Sequence, residues 1–370
     1  MRRYALVFAL FVLFLAPHAQ AAQRIEPLEL GQAAPDFNLP GVDNRNYRLK
    51  DFADAKILVV IFTCNHCPTA QAYEERIKKL VSDYREKGVA FVAISPNDPK
   101  ALRLNELGYS DLSDSLEENK IRARDHGFNF PYLYDGDKQE VSKAYGPRVT
   151  PHVFIFDKDR KLRYRGGIDD SERPKRVKKH HVRNALDAML AGKPVPDKDT
   201  RAFGCSVKWA YKRDPVKNYM EKLAAEKVSL EEISPDEVKA LLKNDSNKLR
   251  LINFWSIRSG PCRNEFSELV TINRMYRGRN FELVTICVDD LEKKQEVLGF
   301  LKDQRASNRN TIFAGKDKSR LVEATNREWM GAVPLTLVIK PGGKIVYKHL
   351  GEIDPLEAKR AIVEILGRTY

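Results

Sequence analysis

The sequence predicts an α/β protein made of two tandem copies of one unit, each a central mixed sheet flanked by helices. Two patterns lead there. Short, continuous apolar runs alternate with helical stretches, as expected of strands buried on both faces, and the whole order of elements occurs twice. Length agrees: the chain has 370 residues, beyond the roughly 250–300 that one hydrophobic core organises.

The elements follow in order. Residues 1–21 have the layout of a secretory signal peptide: Arg2 and Arg3, the apolar stretch Ala5–Ala16, then Ala19-Gln20-Ala21 as a small-x-small cleavage site. That apolar stretch is shorter than the ~20 residues of a spanning helix, so export without stable membrane insertion is expected, into an extracytoplasmic or periplasmic compartment. The first unit, 28–191, has a strand at Lys56–Phe62, then Cys64-Asn65-His66-Cys67-Pro68 and a helix over Ala70–Lys87. Strands at Val89–Ser95, His152–Asp157 and Lys161–Arg165 follow, with Val149-Thr150-Pro151 leading into the second of these. The Pro- and charge-rich Gly192–Asp199 opens a linker and connector helix over 192–228. The second unit, 229–370, repeats the order. Leu251–Trp255 is its apolar run, Ser259-Gly260-Pro261-Cys262 opens its helix, Phe281–Val288 is the next strand, and Ala332-Val333-Pro334 leads into Leu335–Lys340.

Composition narrows the function classes. With 42% hydrophobic and 31% charged residues the chain is globular, not disordered. Five cysteines are too few for a disulfide-stapled scaffold. The net charge of +13 is spread over both halves, so no nucleic-acid groove is expected. The densest basic run, Arg173–His181, reads as the solvated start of a helix.

The motifs resemble a known family. A strand, a Cys-x-x-Cys pair at a helix start and a later Thr-Pro before a strand are similar to the thioredoxin fold. Ala34-Pro35-Asp36-Phe37-Asn38-Leu39 and the stretch FPYLYDGDKQEVSKAYGPRVTPHVFIFD at 130–157 resemble the redoxins, meaning the thiol-specific antioxidant (peroxiredoxin) superfamily and its TlpA/ResA-type thiol-disulfide reductases. FWSIRSGPCRNEF and GAVPLTLVIKPGGKIVY resemble the TlpA-type branch in the second half. The resemblance implies tandem thioredoxin-like domains, cis peptide bonds before Pro151 and Pro334, and thiol-disulfide oxidoreductase activity. Cys64 would be the exposed nucleophile and Cys67 the buried resolving thiol, with Thr150 and Pro151 positioning the substrate through backbone contacts. Partners would be protein thiols or disulfides and an electron donor. No cofactor or resident metal is expected.

The residues themselves support that chemistry. Thiol–disulfide exchange needs an attacking thiolate and a second thiol close enough to resolve the mixed disulfide. A spacing of two residues at a helix start brings both sulfurs within bridging reach, and the helix N-terminus stabilises the anion. His66, between the cysteines, is placed to bring an N–H or a positive charge to the Cys64 sulfur, which would favour the reduced form. Two alternatives remain. Cys64 and Cys67 with His66 or His152 form a soft ligand set for copper, although copper chaperones of this fold space their cysteines CxxxC. Peroxiredoxins carry Pro-x-x-x-Thr/Ser-x-x-Cys; with Cys67 as the reactive cysteine, Cys64 stands at the hydroxyl position and Val60 at the proline position, and Thr63 is one residue off.

The second half departs from its relatives. Ser259 stands where they have the attacking cysteine, and a hydroxyl cannot undergo disulfide exchange. Ser259, Cys262 and Pro334 therefore read as a degenerate, redox-inactive site. Asn253 stands where thioredoxin-like proteins often keep a buried acid, and Leu58 occupies that place in the first half. Cys205 reads as a free thiol, with a resolving or mixed-disulfide role as alternatives, because an odd cysteine count carries no pairing information. Cys287 reads as a small core residue.

Overall fold

The computed structural model describes residues 25–315, 318–325 and 329–370; the signal-peptide segment 1–21 lies outside them. Two sheets carry the chain. The first has the order Tyr132–Tyr134, Val89–Ser95, Ile57–Phe62, His152–Phe156, Leu162–Gly166. Its first three strands are parallel and its last two antiparallel. The second sheet has the order Glu231–Ile233, Arg309–Phe313, Phe281–Cys287, Leu249–Trp255, Leu335–Ile339, Ile345–Leu350. Four parallel strands are again followed by an antiparallel pair. In each sheet the strand before the cysteine motif lies inside and is buried along its whole length, because helices cover both faces.

The helix after each motif has 17 residues, Pro68–Tyr84 and Gly260–Tyr276, but the two begin at different points of their motifs. Proline holds the preceding residue out of the α region and is itself suited to a first helical position. Pro68 therefore leaves Cys67 extended, as the N-cap, with its sulfur accepting from Ala70 N. In the second half Gly260 precedes the proline and enters the helix, so Ser259 is the N-cap and Cys262 sits within the first turn. The sequence suggests equivalent placement of the two motifs; the proline position makes them differ.

The halves interlock. Residues 192–209 do not hang free as a linker: they run along the edge of the first sheet, with Arg165 N donating to Lys198 O (2.9 Å) and Thr200 N to Arg165 O (3.1 Å). The short strand Cys205–Ser206 then pairs antiparallel with Val149–Thr150, and Val207 and Trp209 are buried. The connector helix follows at Arg213–Ala224. In the other direction, Leu102 and Leu107 of the first half pack into a core with Leu269, Ile272, Met275 and Tyr276 of the second. Tyr276 OH donates to Ser110 O (2.7 Å), and Arg360 and Arg368 pair with Asp111. Among the described residues no helix is long and apolar enough to cross a membrane.

Candidate thiol redox site

Cys64 and Cys67 lie at the carboxyl end of Ile57–Phe62, facing the Thr150–Pro151 peptide, which is cis like Val333–Pro334. Cys64 Sγ is 3.0 Å from Thr150 Oγ1, and Cys67 Sγ donates to Thr150 O at 3.3 Å. The structure corrects the expected exposure of the nucleophile. Cys64 is only 3% exposed and Cys67 0%, because the 96–115 loop and the connector close over the motif.

The anion is favoured on Cys67, not on Cys64. Burial opposes a charge on Cys67. It is outweighed by hydrogen bonding from Cys205 and Cys64, by the charge on His66 and by the Ala70 amide, and the Cys67 thiol sits well below its ordinary value. Cys205 N and Ala70 N both point at this sulfur, at 3.3 and 3.4 Å. Cys64 is pushed well above the ordinary value by burial, by its hydrogen bond to Cys67, and by the negative charge of Asp114 and Cys67. The helix N-terminus thus serves the second cysteine, as Pro68 requires.

His66 is buried, and its charge acts on Cys67 rather than on Cys64. Its Nδ1 meets Asp114 Oδ2 at 2.5 Å. Burial opposes the imidazolium, but the charge and hydrogen bond of Asp114 prevail and raise its pKa. Asp114 also accepts from Asn65 N (2.8 Å), His66 N (3.1 Å) and Asn97 Nδ2 (2.8 Å). Nothing in the sequence marks Asp114, which lies 48 residues beyond His66 in an irregular loop.

Cys64, His66 and Asp114 form a cluster of the kind that can hold a metal. Both Asp114 oxygens are already taken by N–H donors, so the carboxylate acts as the partner that orients His66. His152 is outside this cluster. Its Nδ1 accepts from Arg148 N at 3.2 Å, and burial lowers its pKa to about 4, so the His152 version of a copper site is not assembled.

Cys205, by contrast, joins the site. Register places it opposite Thr150, beside Cys67, so the Thr150–Pro151 edge is paired with the chain's own connector. In the second half, Ser259 Oγ accepts from Cys262 N (3.4 Å) and Cys262 is buried. Cys287 is a buried core residue. An acid does stand beside Asn253: Glu265 accepts from Asn253 Nδ2 (2.8 Å) and from Ile353 N (2.9 Å). Its position three residues after Cys262, on the inward face of the same helix, was a readable signal.

Burial raises Glu265 to about 7 against the pull of those two donors. A folded pKa above the unfolded one means the native state holds a proton that the unfolded chain releases. Glu265 therefore costs stability increasingly as pH rises from about 4.5 through 7. Relative to wild type, Glu265→Gln should gain on the order of 2 kcal/mol between pH 5 and pH 8. Urea unfolding of both chains at the two pH values measures it, and an unchanged difference would refute the assignment.

A dithiol at a helix N-terminus, at the carboxyl end of a buried strand in a mixed sheet, is the arrangement of an oxidoreductase of thioredoxin fold. Residues 30–165 match the AhpC/TSA family, which places this part of the chain in the redoxin superfamily. The chain is 26% identical over 165 residues to the thiol-disulfide oxidoreductase ResA of Geobacillus thermodenitrificans, covering 44% of this chain and 83% of that one. To peroxiredoxin Bcp of Escherichia coli it is 24% identical over 140 residues, covering 38% and 86%. The crystal structure of an uncharacterized conserved protein from Geobacillus kaustophilus is 44% identical, with 49% of this chain and 92% of that one covered and a TM-score of 0.44.

Proposed function

We propose that the chain is an exported thiol-disulfide oxidoreductase of two tandem thioredoxin-like domains, 28–191 and 229–370, joined by 192–228, acting through the Cys64–Cys67 dithiol. The observation that carries this reading is Cys67 itself: a sulfur at a helix N-terminus, met by two main-chain N–H groups, with a second thiol beside it. Reduction of a client disulfide makes the Cys64–Cys67 disulfide and leaves the client as a dithiol; a donor dithiol restores the site. Asp114 orients His66, and His66 tunes the anion. Export rests on the layout of residues 1–21.

Titrating the full chain against reduced and oxidised glutathione, with thiol counting, tests the reading. Two thiols should disappear in one transition, with the Cys64 and Cys67 peptides linked. If Cys64 and Cys67 stay free across the whole range, the reading fails. Peroxidase chemistry is the second reading, favoured by the anion on Cys67, where the peroxiredoxin pattern puts its reactive cysteine. Stoichiometric loss of hydrogen peroxide with sulfenic acid at Cys67 would select it.

The second domain is proposed to be redox-inactive for want of one sulfur. Ser259 and Cys262 are already hydrogen-bonding neighbours, so Ser259→Cys should lose two further thiols on oxidation and link 259 to 262. The variant belongs in the full chain, because the second core includes Leu102 and Leu107. Finding Cys262 unpaired in folded, oxidised Ser259→Cys would mean that this is not a decayed thioredoxin site.

A further inference from the structure

We propose that Cys205 is a third redox thiol, and that a disulfide formed between Cys64 and Cys67 passes on to Cys67 and Cys205. The proposal rests on the reading of Cys64 and Cys67 as a redox pair, and deepens it by naming the sulfur through which that pair meets its protein partner.

Three observations converge. The first is exposure: Cys64 and Cys67 are both buried, whereas Cys205 is partly exposed. A buried disulfide resists attack by a thiol carried on another protein, since exchange requires the incoming sulfur to reach one of the bonded pair. The second is position. Cys205 N lies 3.3 Å from Cys67 Sγ, which leaves the two side chains within the span of a disulfide. Cys67 is the shared neighbour, touching Cys64 on one side and Cys205 on the other. The third is how the connector is held. Cys205–Ser206 pairs with Val149–Thr150, the edge expected to receive a client backbone. Gly204 makes that approach possible: its φ is +146°, and a Cβ there would stand 2.0 Å from Thr150 O. The chain thus lays its own cysteine where a client cysteine would lie.

The exchange balances. The Cys205 thiolate attacks Cys67 Sγ in the Cys64–Cys67 disulfide; the Cys67–Cys205 bond forms, the Cys64–Cys67 bond breaks, and Cys64 leaves as a thiolate. The proton lost by Cys205 is matched by one gained at Cys64, and no electrons enter or leave the chain. An external protein dithiol then attacks Cys205, whose sulfur is the reachable one. It leaves as a disulfide, and Cys67 and Cys205 return as thiols.

The test uses the full chain, oxidised with glutathione disulfide, quenched in acid, alkylated and mapped without reduction. Cys64→Ser should lose the two thiols of Cys67 and Cys205 as a linked peptide. Cys205→Ser should still form Cys64–Cys67, but its reduction by a thioredoxin-type protein dithiol should slow on the order of tenfold or more. Free Cys67 and Cys205 in folded Cys64→Ser, alongside a Cys64–Cys67 bond in wild type, would overturn the relay and leave the redox pair standing. No disulfide at Cys67 in wild type would instead overturn the reading beneath it. Gly204→Ala covers the case in which Cys64→Ser does not fold. Oxidised wild type should yield a Cys67–Cys205 peptide alongside Cys64–Cys67; Gly204→Ala should abolish the first and keep the second, and a Cys67–Cys205 peptide that is absent from wild type or that survives in Gly204→Ala would refute the proposal.

Discussion

Cys67→Ser is expected to eliminate reduction of insulin disulfides, a loss on the order of a thousandfold, since serine supplies no thiolate near neutral pH. The effect is this large because Cys67 is the only sulfur that touches both others, and because the main-chain donors at the site converge on it. Without it, Cys64 is a buried thiol whose anion is opposed by burial and by the charge of Asp114. The roles implied by family resemblance give a different outcome. If Cys64 attacks and Cys67 resolves, Cys67→Ser traps client proteins on Cys64 as stable mixed disulfides. Non-reducing electrophoresis after exposure to a disulfide-bonded client separates the two. Trapping at Cys64 would restore the resemblance-based roles.

The second large effect concerns stability. Arg122→Ala is expected to cost about 3–5 kcal/mol, the usual result of removing one partner of a buried ion pair. Arg122 is almost wholly buried; its Nε and Nη2 reach Glu74 at 2.9 and 3.0 Å, and Nη2 also reaches Gln71 Oε1 at 3.0 Å. Glu74 and Gln71 lie on the Pro68–Tyr84 helix, and Arg122 on Leu116–Asp125, the helix that follows Asp114. The pair therefore clamps the loop of Asp114 against the redox helix. Alanine leaves the buried Glu74 carboxylate without its cation. Replacing both partners by methionine should recover most of the loss, because two matched apolar groups need no desolvation. Urea unfolding of the two variants measures both effects. A cost below about 1 kcal/mol for Arg122→Ala would place the ion pair in contact with solvent.

The strands and the dithiol were legible in the sequence, and for local reasons. Val89–Ser95 and Ile57–Phe62 are continuous apolar runs, a pattern that reports burial on both faces whatever else the chain does. The Cys64–Cys67 spacing and the Thr150-Pro151 motif are likewise contained in a few consecutive residues. Even the helix start that moves the anion to Cys67 is written locally, in Pro68, because proline constrains the residue before it. Ser259 at the missing sulfur could be read in the same way.

What the sequence could not determine are the distances between residues far apart along the chain. Asp114 meets His66 across 48 residues, and Cys205 meets Cys67 across 138. Asp114 lies in a loop and Cys205 on a strand of two residues, too short to carry a period, so no spacing rule could have found either contact. The burial of Cys64, the occupation of the Thr150–Pro151 edge by the connector and the seating of Leu102 and Leu107 in the second core are of the same kind. Backbone geometry and hydrophobic period act over a handful of residues and are carried by the sequence itself. Which loop closes over which sulfur is set by packing between elements, and only the tertiary structure decides it.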